Sequence, residues 1–339
     1  MKASNYPYFV SGNAPVLYPT ETFFGNLMWS EDDGISVPYS YPFAAKWGES
    51  VSMHIYDEKE FPIPTFIDMI WLSIVENQFY SIEEKLPSER MEELFKQKDE
   101  KGNPLYDYII VGMAPFGNIA IWLAGHQKQT EVAWLKAEAI DVEMEDFCPS
   151  TNLNREDYVK NVLENSKVAY NNFVENGLPL QDLYQNYMAR FNYKIEPVFE
   201  DEQAELQGVD IWYFNGEFNT CMTDEFSQYQ MRAKPQKLVV HYKVGKAKYN
   251  TYIWFDDTRI KESFDSFYLM NEGINNVELV LNISKSNKEF QISISSKERT
   301  ETDENFKPYK LSKDCFEIIV FKNKFESYRS ENYKKQITN

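Results

Sequence analysis

The clearest pattern of apolar and polar positions runs from Pro64 to Gly125. Its first part, Phe66 to Ile74, is apolar at nearly every position and rich in β-branched and aromatic side chains, which is typical of a strand covered on both faces. Residues 75–77 predict a turn, and Gln78 to Ile82 predict a second strand. The stretch therefore begins with a hairpin.

A short helix follows this hairpin. Pro87 and Ser88 supply a helix start, with acidic residues in the first turn. Met91, Leu94 and Phe95 recur at the spacing of one helix face, so we expect them to face the core. Such a helix would leave the glutamates around it directed to solvent.

Two further apolar runs, residues 106–113 and 118–124, flank the sequence Ala-Pro-Phe-Gly. Pro and Gly in this order are typical of a turn, so the runs predict a second hairpin. Alternating apolar positions over residues 131–142 predict one more strand of the same sheet. The predicted order is strand, strand, helix, strand, strand, and then this last strand.

The remainder of the chain repeats that order after a helical segment. Apolar positions three and four apart over residues 154–177 predict a helix that ends at Gly177, and residues 180–191 predict another. Beyond Pro235, at an offset of about 170 residues, the same element types recur. The elements of this second copy are a hairpin over 238–244 and 249–255, a short helix capped by Asp256-Asp257, a hairpin over 277–283 and 290–294, and a strand over 316–321.

These elements predict an α+β fold with mainly antiparallel sheets, built from two related ββαββ-type units with a helical insertion after the first. We place an acidic N-terminal domain at residues 1–230, with its core unit at 64–147 and the insertion at 151–192. A smaller C-terminal domain, which repeats the unit, follows at residues 231–339.

Two segments of the central stretch, TFIDMIWLSIVENQFYSIEEKLP and IIVGMAPFGNIAIWLAG, resemble the bacterial domain-of-unknown-function family 2931, DUF2931. The later segment IWYFNGEFN and the run from Arg232 to Tyr242 resemble the second half of that family. These motifs are aromatic strands and a Pro-Gly turn, so the resemblance implies a scaffold and carries over no catalytic residue. Many relatives look like exported lipoproteins, which would imply a location in the cell envelope.

Charge is distributed unevenly along the chain, whose net charge is −18. Residues 1–230 hold 38 of the 53 acidic residues and 15 of the 35 basic residues, so the acidity belongs wholly to this part. Such a surface repels nucleic acid and anionic membranes, and it would attract a basic protein partner. Ordinary solubilising charge is the alternative interpretation.

Cysteine use and the first residues bear on the compartment. Cys148, Cys221 and Cys315 are far apart and odd in number, so they predict no disulfide framework. The chain opens MKASNYPYF, without a basic and apolar leader or a lipid-acceptor cysteine, and no run reaches the roughly 18 apolar residues of a membrane helix. We expect a cytoplasmic protein without membrane insertion, whereas a trimmed leader would make it periplasmic or lipid-anchored.

The sequence contains no recognisable nucleophile, nucleotide-binding, redox or zinc motif. The three histidines, His54, His126 and His241, have no second ligand or carboxylate at metal-binding spacing. His241 lies in a predicted strand, where a structural role is expected. We therefore predict no catalytic residue, no cofactor and no metal.

Carboxylates and tryptophans leave two other functions open. Glu76, Glu217 and Asp224 lie beside aromatic residues, where burial could raise a carboxyl pKa. Two such groups facing one cleft would suit a glycosidase-like hydrolase, although surface and cap roles are commoner. Tryptophans could stack on the sugars of a carbohydrate, but at strand spacing most belong in a core, and we expect Trp71 and Trp122 to be buried.

The leading hypothesis is a non-enzymatic protein-binding module, with an immunity or antitoxin protein against a bacterial effector as its most concrete form. The charge excess is densest from Asp57 to Glu100, and glutamates around the first helix should project outward as an acidic ridge. A flat acidic face favours binding, whereas two buried carboxylates within about 10 Å in an aromatic pocket favour hydrolysis. The acidic ridge comprises Glu83, Glu84, Glu89, Glu92 and Glu93.

Overall fold

The computed structural model describes residues 5–38, 44–53, 60–220, 224–303, 306–323 and 326–329. It is a mixed α+β structure, with 44% of residues in strands and 21% in helices. Its sheets are dominated by antiparallel pairs. The predicted fold class is therefore confirmed.

The chain divides into two compact units, Met1–Asn186 with Asn215–Glu217 and Tyr187–Phe214 with Phe218–Asn339. The domains placed at residues 1–230 and 231–339 remain predictions, because a compact unit need not fold independently.

The elements of the first unit, in chain order, are β1 Asn5–Tyr6, β2 Phe9–Asn13, β3 Thr20–Met28, β4 Gly34–Ser36, β5 Ser52–Met53, β6 Phe61–Pro62, β7 Phe66–Ser73, β8 Gln78–Lys85, α1 Ser88–Phe95, β9 Tyr108–Ala114, β10 Asn118–Ala124, β11 Lys128–Lys136, β12 Glu138–Ile140, α2 Met144–Phe147, α3 Arg155–Asn165, α4 Lys167–Asn176 and the start of α5 Leu183–Met188. The elements of the second unit are β13 Phe191–Phe199, β14 Ala204–Tyr213, β15 Phe218–Asn219, a 3-10 helix at Asp224–Ser227, β16 Gln230–Arg232, β17 Pro235–Val244, β18 Ala247–Phe255, α6 Asp257–Met270, β19 Val277–Ile283, β20 Phe290–Ser295, α7 Lys297–Thr302, β21 Tyr309–Lys310, β22 Phe316–Lys322 and β23 Glu326–Arg329.

Two five-stranded arrays form the core of the first unit. The strand order is β4-β3-β7-β8-β12 in one and β5-β2-β9-β10-β11 in the other. Neighbours are antiparallel except for β2 and β9, which run parallel. Inward side chains from both arrays, among them Ile67, Met69 and Ile121, belong to one buried apolar cluster.

The two predicted hairpins of this unit are confirmed, but they lie in different sheets. The hairpin β7–β8 belongs to one array and β9–β10 to the other, with α1 between them in sequence. The strand predicted over residues 131–142 is also divided, because β11 pairs with β10 whereas β12 pairs with β8. The prediction of a single sheet is wrong, since the alternation along a strand shows which side chains share a face but not which sheet the strand joins.

Apart from the additional edge strand β23, the second unit has the same strand order as the first. One array runs β15-β14-β17-β18-β22-β23, and the other runs β16-β13-β19-β20-β21. Strand β13 is parallel to β19, as β2 is to β9, while the other neighbours are antiparallel. Helix α6 connects the two hairpins, as α1 does. The predicted repeat is confirmed at the level of topology.

The insertion after the first repeat is helical, as predicted, but its long helix is broken. Residues 154–177 form α3 and α4, which meet at Ser166, where φ is −100° and ψ is 75°. Asn154 caps α3 by accepting a hydrogen bond from the backbone N–H of Asp157 at 2.9 Å. Gly177 ends α4 with φ at 70°, a backbone conformation that favours glycine.

Contacts of Phe147 and Tyr158 hold α2 and α3 against the outer face of the first array. Phe147 of α2 packs edge-on against Phe23 and Phe79, with ring centroids 5.7 and 5.0 Å away. Tyr158 of α3 donates a hydrogen bond of 2.8 Å to the carboxylate of Glu21. One end of this sheet face is thereby covered.

Candidate functional site

The predicted acidic ridge lies on α1 and on the end of β8. Met91 and Phe95 of α1 are buried, and Leu94 is half-buried against the same cluster, as predicted. The Phe95 ring packs against Tyr6 and Tyr8, with ring centroids 5.7 and 5.4 Å away. The helix is therefore fixed to the core by its apolar face, and its acidic face is left to solvent.

Most glutamates of the ridge are exposed. Within the described part of the chain they form no ion pair, and neither does Lys85, the exposed cation between them. Arg90 donates instead to the backbone carbonyl of Glu131, at 3.0 Å. The ridge thus presents negative charge that its own cations leave largely unneutralised. Its exposed members are Glu83, Glu84, Glu89 and Glu93.

Glu92 is the exception in the ridge. Its carboxylate accepts a hydrogen bond from the Tyr6 hydroxyl at 3.0 Å and pairs with Lys96 at 3.1 Å. The hydrogen bond from Lys96, and then that from Tyr6, lower the pKa of Glu92 from its usual value. Glu92 therefore ties the helix to strand β1, and its role in the ridge is structural.

Asp68 extends the acidic ridge and was not predicted from the sequence. It lies directly opposite Glu83 across the β7–β8 pair, with Asn26 of β3 on its other side. Burial raises the pKa of Asp68, and the charge of Glu83 raises it further. Like charges placed directly opposite on neighbouring strands are destabilising, so this pair stabilises neither strand.

The three carboxylates considered for hydrolysis do not form a catalytic pair. Glu76 lies in the β7–β8 turn, where it accepts hydrogen bonds from the hydroxyls of Ser73 and Tyr80, at 2.6 and 2.9 Å, and from the backbone N–H of Phe116, at 3.0 Å. Asp224 is exposed at the start of the 3-10 helix. Glu76 holds the turns of two hairpins together and has no cleft partner among the described residues.

Glu217 is buried in a polar network of the first unit. Its carboxylate accepts from the backbone N–H of Glu131 at 3.0 Å and from the side-chain amide of Asn215 at 3.0 Å. The same amide donates to the Glu131 carboxylate at 3.1 Å. Trp122 donates its indole N–H to the Asn215 carbonyl, at 3.0 Å. Protein donors occupy both Glu217 oxygens, so the carboxylates of Glu217 and Glu131 stabilise the fold.

The tryptophans divide between core and surface. Trp71 and Trp122 are fully buried, as predicted. Trp212 and Trp254 are half-buried on the outer face of the second unit's larger array, together with Tyr252. The ammonium of Lys237 lies 3.6 Å from the centre of the Trp212 ring, a cation–π contact. The strand pattern did not indicate that these side chains share one face.

His241 lies on the same outer face and is structural, as expected from its strand. Its Nε2 is 2.9 Å from an Asp210 oxygen, and its Nδ1 is 2.9 Å from the amide oxygen of Asn250. An imidazolium can donate to both oxygens, and neither ring nitrogen is then left to take a proton from a substrate. The hydrogen bond to Asp210 raises the pKa of His241, whereas burial acts in the opposite direction.

This pair predicts a pH-dependent stability. Because the folded pKa of His241 lies above the ordinary value of 6.5, its contribution is fully present below that value and is lost as the pH rises through the folded pKa. We expect the loss of unfolding free energy in Asp210→Asn to be largest in mildly acidic solution and to shrink toward alkaline pH. Urea unfolding of both proteins at several pH values measures it, and a loss that is constant with pH would contradict the ion pair.

Among the described residues, no group of three His, Cys, Asp or Glu side chains is arranged to hold a metal ion. None of the helices in the described ranges is long and apolar enough to cross a membrane.

Comparison with known families was informative for the first unit. The family model described as protein of unknown function, DUF2931, matches residues 5–180. The chain belongs to the DUF2931 family. No curated protein and no solved structure matches this DUF2931 protein.

The family match includes the central stretch and the whole acidic ridge. The resemblance of residues 65–87 and 109–125 to DUF2931 is therefore confirmed. The segments around Trp212 and Arg232 lie beyond the matched range, so the match gives no support there. In this DUF2931 protein the second copy of the fold is recognised from its strand order alone.

The register of the β7–β8 hairpin is a sequence signal that identifies Asp68. The β7–β8 turn joins Ser73 to Gln78, and counting back from that pair places Asp68 opposite Glu83. Register in a hairpin is fixed by its turn, so this acidic pair could have been found before the structure was known. The aromatic face of the second unit had no such signal as a whole, because Trp212 joins it only when β14, β17 and β18 lie side by side.

Proposed function

We propose that this DUF2931 protein is a non-enzymatic binding protein whose acidic ridge docks a basic protein partner. The observation that carries the proposal is the cross-strand pair of Asp68 and Glu83, which continues onto exposed glutamates of α1 that form no ion pair in the described part of the chain. Charges that oppose one another cost stability, so their arrangement favours a role in attracting an opposite charge. An immunity or antitoxin protein that neutralises a bacterial effector is the most concrete form of this function.

The rigidity of the acidic ridge supports the same proposal. Helix α1 is fixed by the buried Met91 and Phe95, and Glu92 holds both Tyr6 and Lys96. The carboxylates that remain free are therefore carried on an ordered surface. A partner that binds such a surface loses little of the binding free energy to ordering of the backbone.

Hydrolysis, the rival function, is less well supported. The buried carboxylate Glu217 and its neighbour Glu131 are close together, but their oxygens bind Asn215 and a backbone N–H. Glu76 is likewise occupied by three donors of its own chain. A catalytic carboxylate needs an oxygen that can reach substrate, and these groups instead maintain the fold.

Affinity capture with matched variants tests the proposal. We expect a basic protein from the source organism's lysate to be retained by the wild type and lost with the triple variant Glu83→Lys, Glu89→Lys and Glu93→Lys. These three residues are exposed and make no ion pair in the described part of the chain, so the changes should leave the fold intact.

A control with the same change in net charge separates the ridge from general acidity. Glu156, Glu164 and Glu175 are exposed on α3 and α4 of the same unit, and their replacement by Lys should leave capture unchanged. Equal loss of the captured protein with both triple variants would show that total charge, and not the acidic ridge, is responsible. Equal retention by both would contradict docking on the ridge.

A further inference from the structure

A pocket in the second unit, separate from the acidic ridge, has the lining of a ligand site. It has a volume of about 320 Å³ and lies where the end of β18, the first turn of α6 and the start of β22 meet. This volume is at the lower end of the range of about 300 to 1,000 Å³ for small-molecule sites. The lining residues are Trp254, Phe255, Asp256, Arg259, Lys313, Asp314, Phe316 and Glu317.

The Trp254 ring supplies an apolar wall. It is half-buried, and the ring of Tyr252 packs nearly parallel to it, at 5.7 Å between centroids and 19° between planes. Phe255 and Phe316, which are buried, also line the pocket. The position of Trp254 is thus set by its neighbours, and no hydrogen bond of its indole N–H is found in the described residues.

Arg259 supplies hydrogen-bond donors that its own neighbours do not saturate. Its guanidinium lies 3.5 Å from Asp314 and 3.7 Å from Glu262, which is longer than an N–H···O hydrogen bond. Asp256 is fixed beside it, because its carboxylate accepts the backbone N–H of Arg259 at 2.9 Å. The guanidinium is therefore oriented by two carboxylates and retains N–H groups for a ligand.

The charges of the pocket select against ionic ligands. Three carboxylates and two cations line the pocket, so its surface is neither wholly negative nor wholly positive and favours neither a cationic nor an anionic ligand. The carboxylate of Asp314, which accepts from Ser312, and the guanidinium of Arg259 instead place an acceptor group and a donor group side by side. A hydroxyl group both donates and accepts, so neighbouring hydroxyls of a sugar match this alternation.

We propose that this pocket binds a neutral sugar residue, with the C–H face of the ring against Trp254 and its hydroxyls on Arg259, Asp314 and Glu317. The combination of an aromatic wall with paired donors and acceptors carries the proposal. The site belongs to the second unit and does not depend on docking at the acidic ridge, which lies in the first unit.

Saturation-transfer NMR with defined sugars tests the site. The probes are the neutral disaccharides maltose, cellobiose, lactose and chitobiose, together with sialyllactose as an acidic probe. We expect at least one neutral probe to bind in the millimolar range and sialyllactose to bind no better. Trp254→Ala should weaken that binding by at least about tenfold. Trp254→Phe, which keeps an aromatic ring, should bind more tightly than Trp254→Ala but less tightly than the wild type.

Two further variants distinguish the pocket from the rest of the aromatic face. Trp212→Ala removes a half-buried tryptophan from the same sheet face but outside the pocket, and binding should be unchanged. Arg259→Gln should weaken binding without lowering the melting temperature, because the Arg259 side chain is 53% exposed. The proposal is overturned if no neutral probe binds the wild type, if sialyllactose binds best, or if Trp212→Ala and Trp254→Ala weaken binding equally.

Discussion

Replacing Trp71 by alanine should lower the free energy of unfolding by about 3 to 5 kcal/mol. Trp71 is fully buried in β7, opposite Tyr80 of β8, and its ring packs on that tyrosine at 5.6 Å. Truncation removes the transfer free energy of the largest apolar side chain and leaves a cavity that the close-packed sheets fill only in part. Urea unfolding followed by far-ultraviolet circular dichroism measures the loss.

Trp71→Phe is the matched control for this prediction. The indole N–H of Trp71 finds no hydrogen-bond acceptor among the described residues, so phenylalanine removes a buried polar group along with some volume. We expect Trp71→Phe to cost much less than Trp71→Ala. A loss below about 1 kcal/mol for Trp71→Ala, which is typical of a surface position, would contradict the placement of β7 in the core.

The second large effect should come from Glu76→Ala, which we expect to cost about 3 kcal/mol. The carboxylate accepts from Ser73, Tyr80 and the backbone N–H of Phe116, whose φ of 61° is rare for a residue with a side chain. Removing it leaves three donors without a partner, one of them on the fully buried Ser73. The strained turn at Phe116 would also lose the group that fixes it.

Glu138→Ala provides the control for Glu76→Ala. Glu138 is exposed in β12, so its truncation should change the unfolding free energy by less than about 0.5 kcal/mol. Glu76→Gln should fall between the two, since the amide keeps one acceptor oxygen but places an NH₂ group against donors. Equal stability of Glu76→Ala and Glu138→Ala would show that the two hairpin turns do not depend on this carboxylate.

Local pattern was enough to predict several elements of this fold. The apolar run at Phe66–Ile74, the face of Met91, Leu94 and Phe95, and the Pro-Gly turn before Asn118 each correspond to an observed strand, helix or turn. The repeat of element order after Pro235 was also visible. Each of these features depends on contacts between neighbours in sequence, or on periods of two and 3.6 residues.

Pairing between distant strands could not be predicted in the same way. The parallel pairs β2–β9 and β13–β19 join residues 99 and 84 positions apart, and the split of residues 131–142 between two sheets depends on β8 and β10 together. The pocket at Trp254 could not be predicted either, because it forms only where β18, α6 and β22 meet. The acidic ridge was predictable because β8 and α1 are consecutive.

The two copies of the fold carry different surfaces on corresponding sheet faces. In the first copy, β7 and β8 present Asp68 and Glu83 on the outer face. In the second, β17 and β18 present Lys237 and Trp254, also directly opposite one another. One scaffold thus carries an acidic face and an aromatic face, and we propose a basic protein and a neutral sugar as their respective ligands.

Docking on the acidic ridge is tested most directly by the association rate constant of the captured partner at low and high salt. We expect association with the wild type to slow steeply as salt rises, because charge complementarity acts chiefly on the encounter rate. The variant with Lys at positions 83, 89 and 93 should associate slowly at both salt concentrations. Association rates that are the same for the two proteins, and that do not change with salt, would contradict docking on the acidic ridge.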